Sequence, residues 1–169
     1  MYNNYLWAAN RSKYLKNHHS LQSYKGCLLC GVVHEKSGVI RKVLYKDKLA
    51  MVILNIFPYS VGHVQVVPIR HVETLEGLTK KEHDHLFDMV RRTVILLKKT
   101  FSPAGINIGM NIGGDVSGAS IAHIHVQIVP RYKRDLGFME VTASTKVMSM
   151  TLDQVLKKLK KNVKILKEK

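Results

Sequence analysis

The sequence predicts a single α+β domain, in which helices cover one face of an antiparallel sheet of about five strands. Strand patterns of period two fill the first part of the chain, one long segment changes to a period of three and four, and two more strand patterns follow. The resulting order β, β, β, α, β, β, α, without an internal repeat, is typical of this class. With 169 residues, of which 46% are apolar, the chain is long enough to bury the core of one domain, 1–169.

The first strand signals come after a segment without clear periodicity. Residues 1–24 are polar and aromatic, and we expect an arm or short helix there that packs "YLW" on the domain. Residues 39–58 alternate and then become apolar, with the turn signal "KDK" between, so they predict a hairpin that ends at Pro58. The stretch "VGHVQVVPI", residues 61–69, predicts a third strand.

The segment "TKKEHDHLFDMVRRTVILLKKTF" predicts one long helix. Thr79 followed by Glu82 is the signature of a capping box at its start, and the "SP" of residues 102–103 indicates its end. Its apolar positions recur at three and four residues, at Leu86, Val90, Val94, Leu97 and Phe101.

Residues 150–169 predict a basic amphipathic C-terminal helix, with lysines around one apolar stripe. The chain has 27 Lys and Arg against 12 Asp and Glu, and such a surface attracts nucleotides, polyphosphates, nucleic acid or anionic membranes. A nucleic-acid-binding protein is therefore a competing class of function, although the sequence lacks interleaved surface aromatics for stacking on single strands. The stripe consists of Leu152, Leu156, Leu159, Val163 and Leu166.

The stretch "IAHIHVQIV", residues 121–129, places polar side chains at alternate positions of an apolar strand pattern. Side chains two residues apart share a face, so His123, His125 and Gln127 should point one way and the aliphatic residues the other. A satisfied histidine pair is the ordinary alternative. The glycine-rich loop of residues 109–120, directly before it, favours a site, because its backbone can approach a ligand closely and form an anion nest for phosphate.

These motifs resemble those of the histidine triad (HIT) superfamily of nucleotide hydrolases and transferases, over most of the chain from "LWAANRSKYL" to "GFMEV". The family signature is His-φ-His-φ-His-φ-φ, with φ apolar, whereas this chain has "HIHVQIV", with Gln127 in the third place. The variant is similar to the transferase branches, galactose-1-phosphate uridylyltransferase and diadenosine tetraphosphate phosphorylase. The resemblance implies a HIT-like fold and a homodimer.

By this resemblance His125 is the nucleophile, which attacks the α-phosphorus and forms a nucleotidyl-histidine intermediate. Imidazole suits the role because it is largely neutral at pH 7 and attacks without prior deprotonation. His63 would support it from the neighbouring strand. The resemblance places the ribose beside Asn55, which is almost as natural a turn-forming residue before Pro58. The phosphates would meet the loop at Asn111, Ser117, Gly118 and Ser120.

Gln127 constrains both catalysis and substrate binding, because an amide donates hydrogen bonds to phosphate but cannot deliver a proton. The leaving group should then depart without a proton, as a nucleoside di- or triphosphate does. We therefore expect a nucleotidyl transferase or phosphorylase that cleaves dinucleoside polyphosphates such as diadenosine tetraphosphate, with phosphate as acceptor. The alternative is a HIT hydrolase that uses water on a dinucleoside polyphosphate or a nucleoside phosphoramidate.

Two cysteines, Cys27 and Cys30, stand in "CLLC". The N-terminus lacks the apolar core of a signal peptide and no run approaches about 20 apolar residues, so a soluble, cytoplasmic protein is expected. In a reducing compartment the spacing favours a metal half-site or redox pair over a disulfide. In zinc-bearing HIT relatives the other ligands match His71 and His123, so the resemblance implies structural zinc.

Overall fold

The computed structural model describes residues 24–117, 121–133, 142–143 and 147–167. Apart from Tyr24, the predicted N-terminal arm lies outside the described residues, as do Gly118 and Ser120 of the predicted phosphate loop.

Five antiparallel strands form one sheet in the order β1-β2-β3-β5-β4, which confirms the predicted fold class. The first hairpin closes through Asp47, whose Oδ1 accepts hydrogen bonds from the backbone N–H groups of Leu49 and Ala50, both at 2.9 Å. The last strand in the sequence lies between β3 and β4, so β4 forms an edge of the sheet. The strands are β1 Val43–Lys46, β2 Ala50–Leu54, β3 Val64–Pro68, β4 Gly105–Gly109 and β5 Val126–Arg131.

Within the described ranges, the helices that pack on the sheet are α1 Leu28–Val33, α2 Lys80–Phe101 and α3 Leu152–Lys160. The long helix α2 begins as predicted, with Thr79 as its N-cap and a complete capping box with Glu82. Short 3₁₀ turns occupy Gly114–Ser117 and Val163–Leu166.

The prediction of one continuous C-terminal helix over residues 150–169 is wrong, because α3 ends at Lys160. The chain turns at Asn162, whose side-chain amide donates to Thr100 Oγ1 at 3.1 Å. The second segment is held on α2 by Arg92, whose guanidinium donates to the carbonyl of Leu166. Leu159 and Leu166 of the predicted stripe are buried, and its other three residues pack partly buried against the core. The turn also buries Val155 and Ile165, which the stripe did not include.

Strand β2 is buried on both faces, so the prediction that helices cover only one face is also wrong. Ala50, Val52 and Leu54 belong to the core under α2 and the C-terminal segment. Met51 and Ile53 pack on the opposite face, with Leu29, Val32 and Val33 of α1. The helix α1 therefore covers the second face and brings the cysteines to the sheet. No helix among the described residues has the length and apolar character needed to cross a membrane.

We expect the capping box of α2 to contribute measurably to stability. Thr79 Oγ1 accepts from the Glu82 backbone N–H, and the Glu82 carboxylate accepts from the Thr79 N–H. Thr79→Ala should lower the free energy of unfolding by about 1 kcal/mol, whereas Thr79→Ser should retain most of it. Urea denaturation measures both values, and equal stability of the alanine variant and wild type would contradict this role.

Candidate active site and metal centre

The candidate site lies where β3 and β5 pair, on the face of the sheet that α1 partly covers. Gln65 of β3 is directly opposite Gln127 of β5, and His63 precedes β3 by one residue. The backbone alternation that buries Val64 and Val66 under α2 turns Gln65 to the other face, as period two requires.

His123 and His125 precede the strand instead of lying within it, so the prediction of a regular strand through both is wrong. β5 begins at Val126, which pairs with Val66 at the end of the ladder. Continued pairing would place Ile124 opposite Pro68, which has no N–H to donate. The backbone N–H of Ile124 instead donates to the carbonyl of Val72, at 2.7 Å. Both histidines are nevertheless buried beside the end of the sheet, as the sequence pattern indicates.

Hydrogen bonds with the backbone fix the proton positions of His63. Its Nδ1 accepts from the backbone N–H of Tyr59 at 3.1 Å, so in the neutral ring the proton is on Nε2. That Nε2–H donates to Gln127 Oε1 at 2.7 Å, and the Gln65 amide donates to the same oxygen at 3.2 Å. Two donors on one oxygen fix the orientation of the Gln127 amide.

The amide nitrogen of Gln127 then faces Nε2 of His125 at 3.1 Å and donates to it. At the other side of the ring, His125 Nδ1 donates to the backbone carbonyl of His123 at 2.9 Å. Because the carbonyl can only accept, the His125 proton is on Nδ1 and a lone pair remains on Nε2. The predicted residues His63, Gln127 and His125 therefore form one hydrogen-bonded chain that ends at an unprotonated ring nitrogen.

Burial keeps these imidazoles neutral. The pKa of His63 is lowered to about 4, chiefly by burial, with the hydrogen bond to Gln127 opposing and the neighbouring His125 adding to the decrease. Burial also lowers the pKa of His125, although the hydrogen bond to the carbonyl of His123 opposes this effect. A ring that is neutral at pH 7 can use its lone pair as a nucleophile without losing a proton first.

The four predicted metal ligands Cys27, Cys30, His71 and His123 come together, with one ligand atom of each within 4.8 Å of all the others. His71 Nδ1 lies 3.2 Å from Cys30 Sγ. His123 Nδ1 lies 3.6 Å from Cys27 Sγ and 3.5 Å from Cys30 Sγ. Helix α1 makes this possible, because its first turn places both thiols on one side, with Cys27 as the N-cap.

The histidines of this cluster present the correct nitrogen for a cation. His123 Nε2 donates to the carbonyl of Pro68 at 3.1 Å, which leaves Nδ1 unprotonated towards the thiols. His71 Nε2 faces the Glu73 carboxylate at 3.1 Å, with its Nδ1 likewise towards Cys30. An acceptor on the far nitrogen is the usual outer support of a metal-bound histidine. The set fits a divalent cation with tetrahedral coordination.

The electrostatics of the thiols agree with that fit. The pKa of the Cys30 thiol is raised to about 11, first by burial and then by a hydrogen bond with Cys27 and charge repulsion from it. Two adjacent thiolates thus need a compensating positive charge, which a divalent cation supplies.

The predicted substrate-binding residues divide into two groups. Asn55 forms the turn that the sequence allowed as an alternative, because its Oδ1 accepts from the Phe57 N–H at 2.9 Å, and its amide nitrogen lies 3.4 Å from both ring nitrogens of His63. Asn111 and Ser117 instead line an open cavity of about 380 Å³ together with Gln127. Ser117 Oγ also donates to the carbonyl of Gly114.

The sequence patterns do not predict two residues of the site, Gln65 and Tyr59. Gln65 contacts Gln127, and its alternation with His63 in "GHVQVV" could have revealed that it shares the polar face. Tyr59 donates its backbone N–H to His63 and lines the cavity, and no pattern in the sequence indicates this.

The chain is similar to named proteins of one family. It is 36% identical over 110 residues to a protein named AP-4-A phosphorylase from Mycobacterium tuberculosis, covering 65% of this chain and 56% of the relative. It is 40% identical over 100 residues to a bis(5′-nucleosyl)-tetraphosphatase (asymmetrical) from Schizosaccharomyces pombe, covering 59% of this chain and 54% of the relative. The chain therefore matches about half the length of these two relatives.

A solved structure shares the fold. A Zn-bound histidine triad family protein from Mycobacterium smegmatis superposes with a TM-score of 0.68 at 22% identity, over 84% of this chain and 96% of that one. The model of the HIT domain matches residues 38–134, which include both strands of the site and the "HIHVQIV" motif. With more than half of its length in that match, the chain belongs to the HIT domain family.

Proposed function

We propose that the chain is a nucleotidyl transferase or phosphorylase that cleaves dinucleoside polyphosphates, with His125 as its nucleophile. The observation that carries this proposal is the hydrogen-bonded chain that leaves a lone pair on His125 Nε2, beside a cavity lined by Gln127. The names of the two relatives, a phosphorylase and a tetraphosphatase, support an enzyme that acts on this class of substrate.

In the first step, the His125 Nε2 lone pair attacks the α-phosphorus and forms an N–P bond. The P–O bond to the polyphosphate breaks, and its electron pair leaves with the oxygen. The imidazole ring becomes positively charged, and the carbonyl of His123 stabilises it through the Nδ1–H. In the second step, an oxygen of the acceptor phosphate attacks the same phosphorus, and the N–P electron pair returns to Nε2.

Gln127 has a part in both steps. In the free site its amide N–H donates a hydrogen bond to His125 Nε2. As the phosphorus approaches that nitrogen, the N–H can donate to a phosphate oxygen instead. His63 and Gln65 hold the amide oxygen, so the N–H stays directed at the reacting atoms. The neutral Gln127 amide donates a hydrogen bond but does not transfer a proton. It therefore suits a nucleoside triphosphate, which leaves without being protonated.

The acceptor decides between phosphorylase and hydrolase. The purified chain would be incubated with diadenosine tetraphosphate, with and without inorganic phosphate, and the nucleotides separated. Phosphorolysis gives ADP and ATP in a phosphate-dependent manner, whereas hydrolysis gives AMP and ATP. Formation of AMP at a rate unaffected by phosphate would replace the phosphorylase by the hydrolase, and a lack of cleavage would refute both.

We expect Gln127→His to change the preference for the leaving group. A histidine can protonate the amine of a nucleoside phosphoramidate, which must leave protonated, whereas the amide cannot. The ratio of kcat/KM for an adenosine phosphoramidate to that for diadenosine tetraphosphate should rise by about a hundredfold.

Gln127→Met is the matched control, because it removes the amide without providing a proton donor and should not raise the ratio. A wild type that already prefers the phosphoramidate would contradict the role of Gln127.

We also propose that the cation of the cysteine–histidine cluster is structural zinc. All four ligands come from the protein, so the site has no open position for activating water, and it would tie α1 to the segment before β5.

A homodimer and a cytoplasmic location are part of the proposal. The edge strand β4, which pairs only with β5 among the described strands, supports the homodimer. Two free thiols are compatible with the cytoplasmic location.

A further inference from the structure

Tyr59 is an exposed aromatic residue beside the candidate nucleophile. It is 63% exposed, the largest exposure among the large hydrophobic residues that the structure describes as exposed. A tyrosine at the wall of a polar cavity is a typical recognition residue, because its ring offers an apolar face and its hydroxyl a polar end. The position of the Tyr59 ring therefore favours a ligand with an apolar, planar group.

The ring of Tyr59 is held in place on one side. Its backbone N–H donates to His63 Nδ1, and its ring centroid lies 5.0 Å from that of the His63 imidazole, with 32° between the planes. His63 is itself buried and bonded to Gln127. The phenol ring is thus supported by the catalytic hydrogen-bond chain, and its exposed surface borders the cavity.

The cavity lies on one definite side of Gln127. Besides Tyr59, its walls come from β4, β5 and the glycine-rich loop, including Asn107, Ile108 and Asn111. Asn55 follows β2, which lies on the other side of β3 in the sheet. A dinucleoside polyphosphate bound across Gln127 would have one nucleotide towards Asn55 and the other in the cavity at β4.

We propose that the Tyr59 ring stacks on the base of the leaving nucleotide, which occupies the cavity at the β4 side. The proposal rests on the proposed function, since it assigns the second half of a dinucleoside polyphosphate. The ligand class is a purine nucleoside polyphosphate, because a two-ring base offers the greater planar surface for the phenol. The neighbouring Ile108 side chain adds apolar surface to the cavity wall.

Binding can be tested without turnover in a His125→Asn background. Tyr59→Ala in that background should weaken the Kd for diadenosine tetraphosphate about tenfold, the size of one base–aromatic stacking contact. Tyr59→Phe keeps the ring and removes the hydroxyl, so it should restore most of the affinity. Phe87→Ala, which removes an exposed aromatic ring on α2, should not change the Kd.

Turnover identifies which base is stacked. Diadenosine tetraphosphate and adenosine tetraphosphate share a transferable adenylate, but the leaving triphosphate of the second compound carries no base. With His125 intact, Tyr59→Ala should lower the ratio of their kcat/KM values about tenfold.

Equal losses on both substrates would overturn the proposal, because they would assign Tyr59 to the transferred half or to the support of His63. Unchanged binding in the alanine variant would also overturn it. If the wild type cleaves neither compound, the proposed reaction fails, and the binding titration still decides whether Tyr59 is a base platform.

Discussion

Replacement of His125 by alanine is expected to reduce the turnover of diadenosine tetraphosphate by about a thousandfold or more, the scale seen when a covalent nucleophile is removed. His125 Nε2 is the nitrogen that the hydrogen bonds of Gln127 and the His123 carbonyl leave with a lone pair. Alanine removes that lone pair and leaves the cavity residues in place. The change should therefore appear in kcat, while the nucleotide still binds.

The measurement compares kcat and equilibrium binding for purified wild type, His125→Ala and His83→Ala. His83 lies on α2 and pairs with Asp84 at the surface, so its loss controls for the removal of a histidine away from the site. Rapid quench of the wild type in an alkaline denaturant, which preserves the acid-labile N–P bond, should also show adenylate attached to the protein, which the alanine variant should lack. Turnover of His125→Ala close to that of the wild type would refute the covalent mechanism.

The fold was predictable where a periodic pattern extends over enough residues. Helix α2 repeats its apolar positions over 22 residues and carries its own capping box, so local signals suffice. Helix α1 has six residues, too few to show a helical period, and it forms because Leu29, Val32 and Val33 bury against Met51 and Ile53. Such tertiary burial is not visible in the local sequence.

The sequence predicted which residues form the candidate site better than it predicted the hydrogen bonds between them. Alternation in "HIHVQIV" predicts that the polar side chains share a face, and the structure brings His125 and Gln127 together. The opposition of Gln65 and Gln127 depends on the register of β3 with β5, which local sequence does not determine. The protonated nitrogen of His125 follows instead from a local contact, because Nδ1 donates to the carbonyl of His123 two residues earlier, and the sequence pattern does not indicate that backbone geometry.

His123 connects the two halves of the site. Its carbonyl accepts the His125 Nδ1–H, its Nε2 donates to the Pro68 carbonyl, and its Nδ1 faces the thiols of α1. Through His123 the cluster is therefore linked to the backbone that holds His125, although none of its four residues lines the cavity. Loss of the cluster should therefore lower the free energy of unfolding more than it lowers the kcat of the folded protein.

We accordingly expect zinc to copurify at about one ion per chain, and the double substitution Cys27→Ser with Cys30→Ser to abolish it. Removing the link between α1 and the segment before β5 should lower the free energy of unfolding by about 3 kcal/mol, roughly a quarter of the zinc-binding free energy of an isolated zinc-finger peptide, whose fold depends wholly on the metal. For a chain of this size, that corresponds to a melting temperature lower by roughly 10 °C.

The design separates metal loss from a general effect of the substitutions. A strong chelator should lower the melting temperature of the wild type and leave the doubly substituted variant unchanged, because that variant has no ion to lose. The fraction of the variant that stays folded should retain more of its kcat than of its stability, since His125, Gln127 and His63 are all intact. A wild type that is fully stable without metal, or a variant as stable as the metal-bound wild type, would refute the structural role. A loss of kcat that exceeds the loss of folded protein would instead mean that the cation, through His123, also aligns the nucleophile.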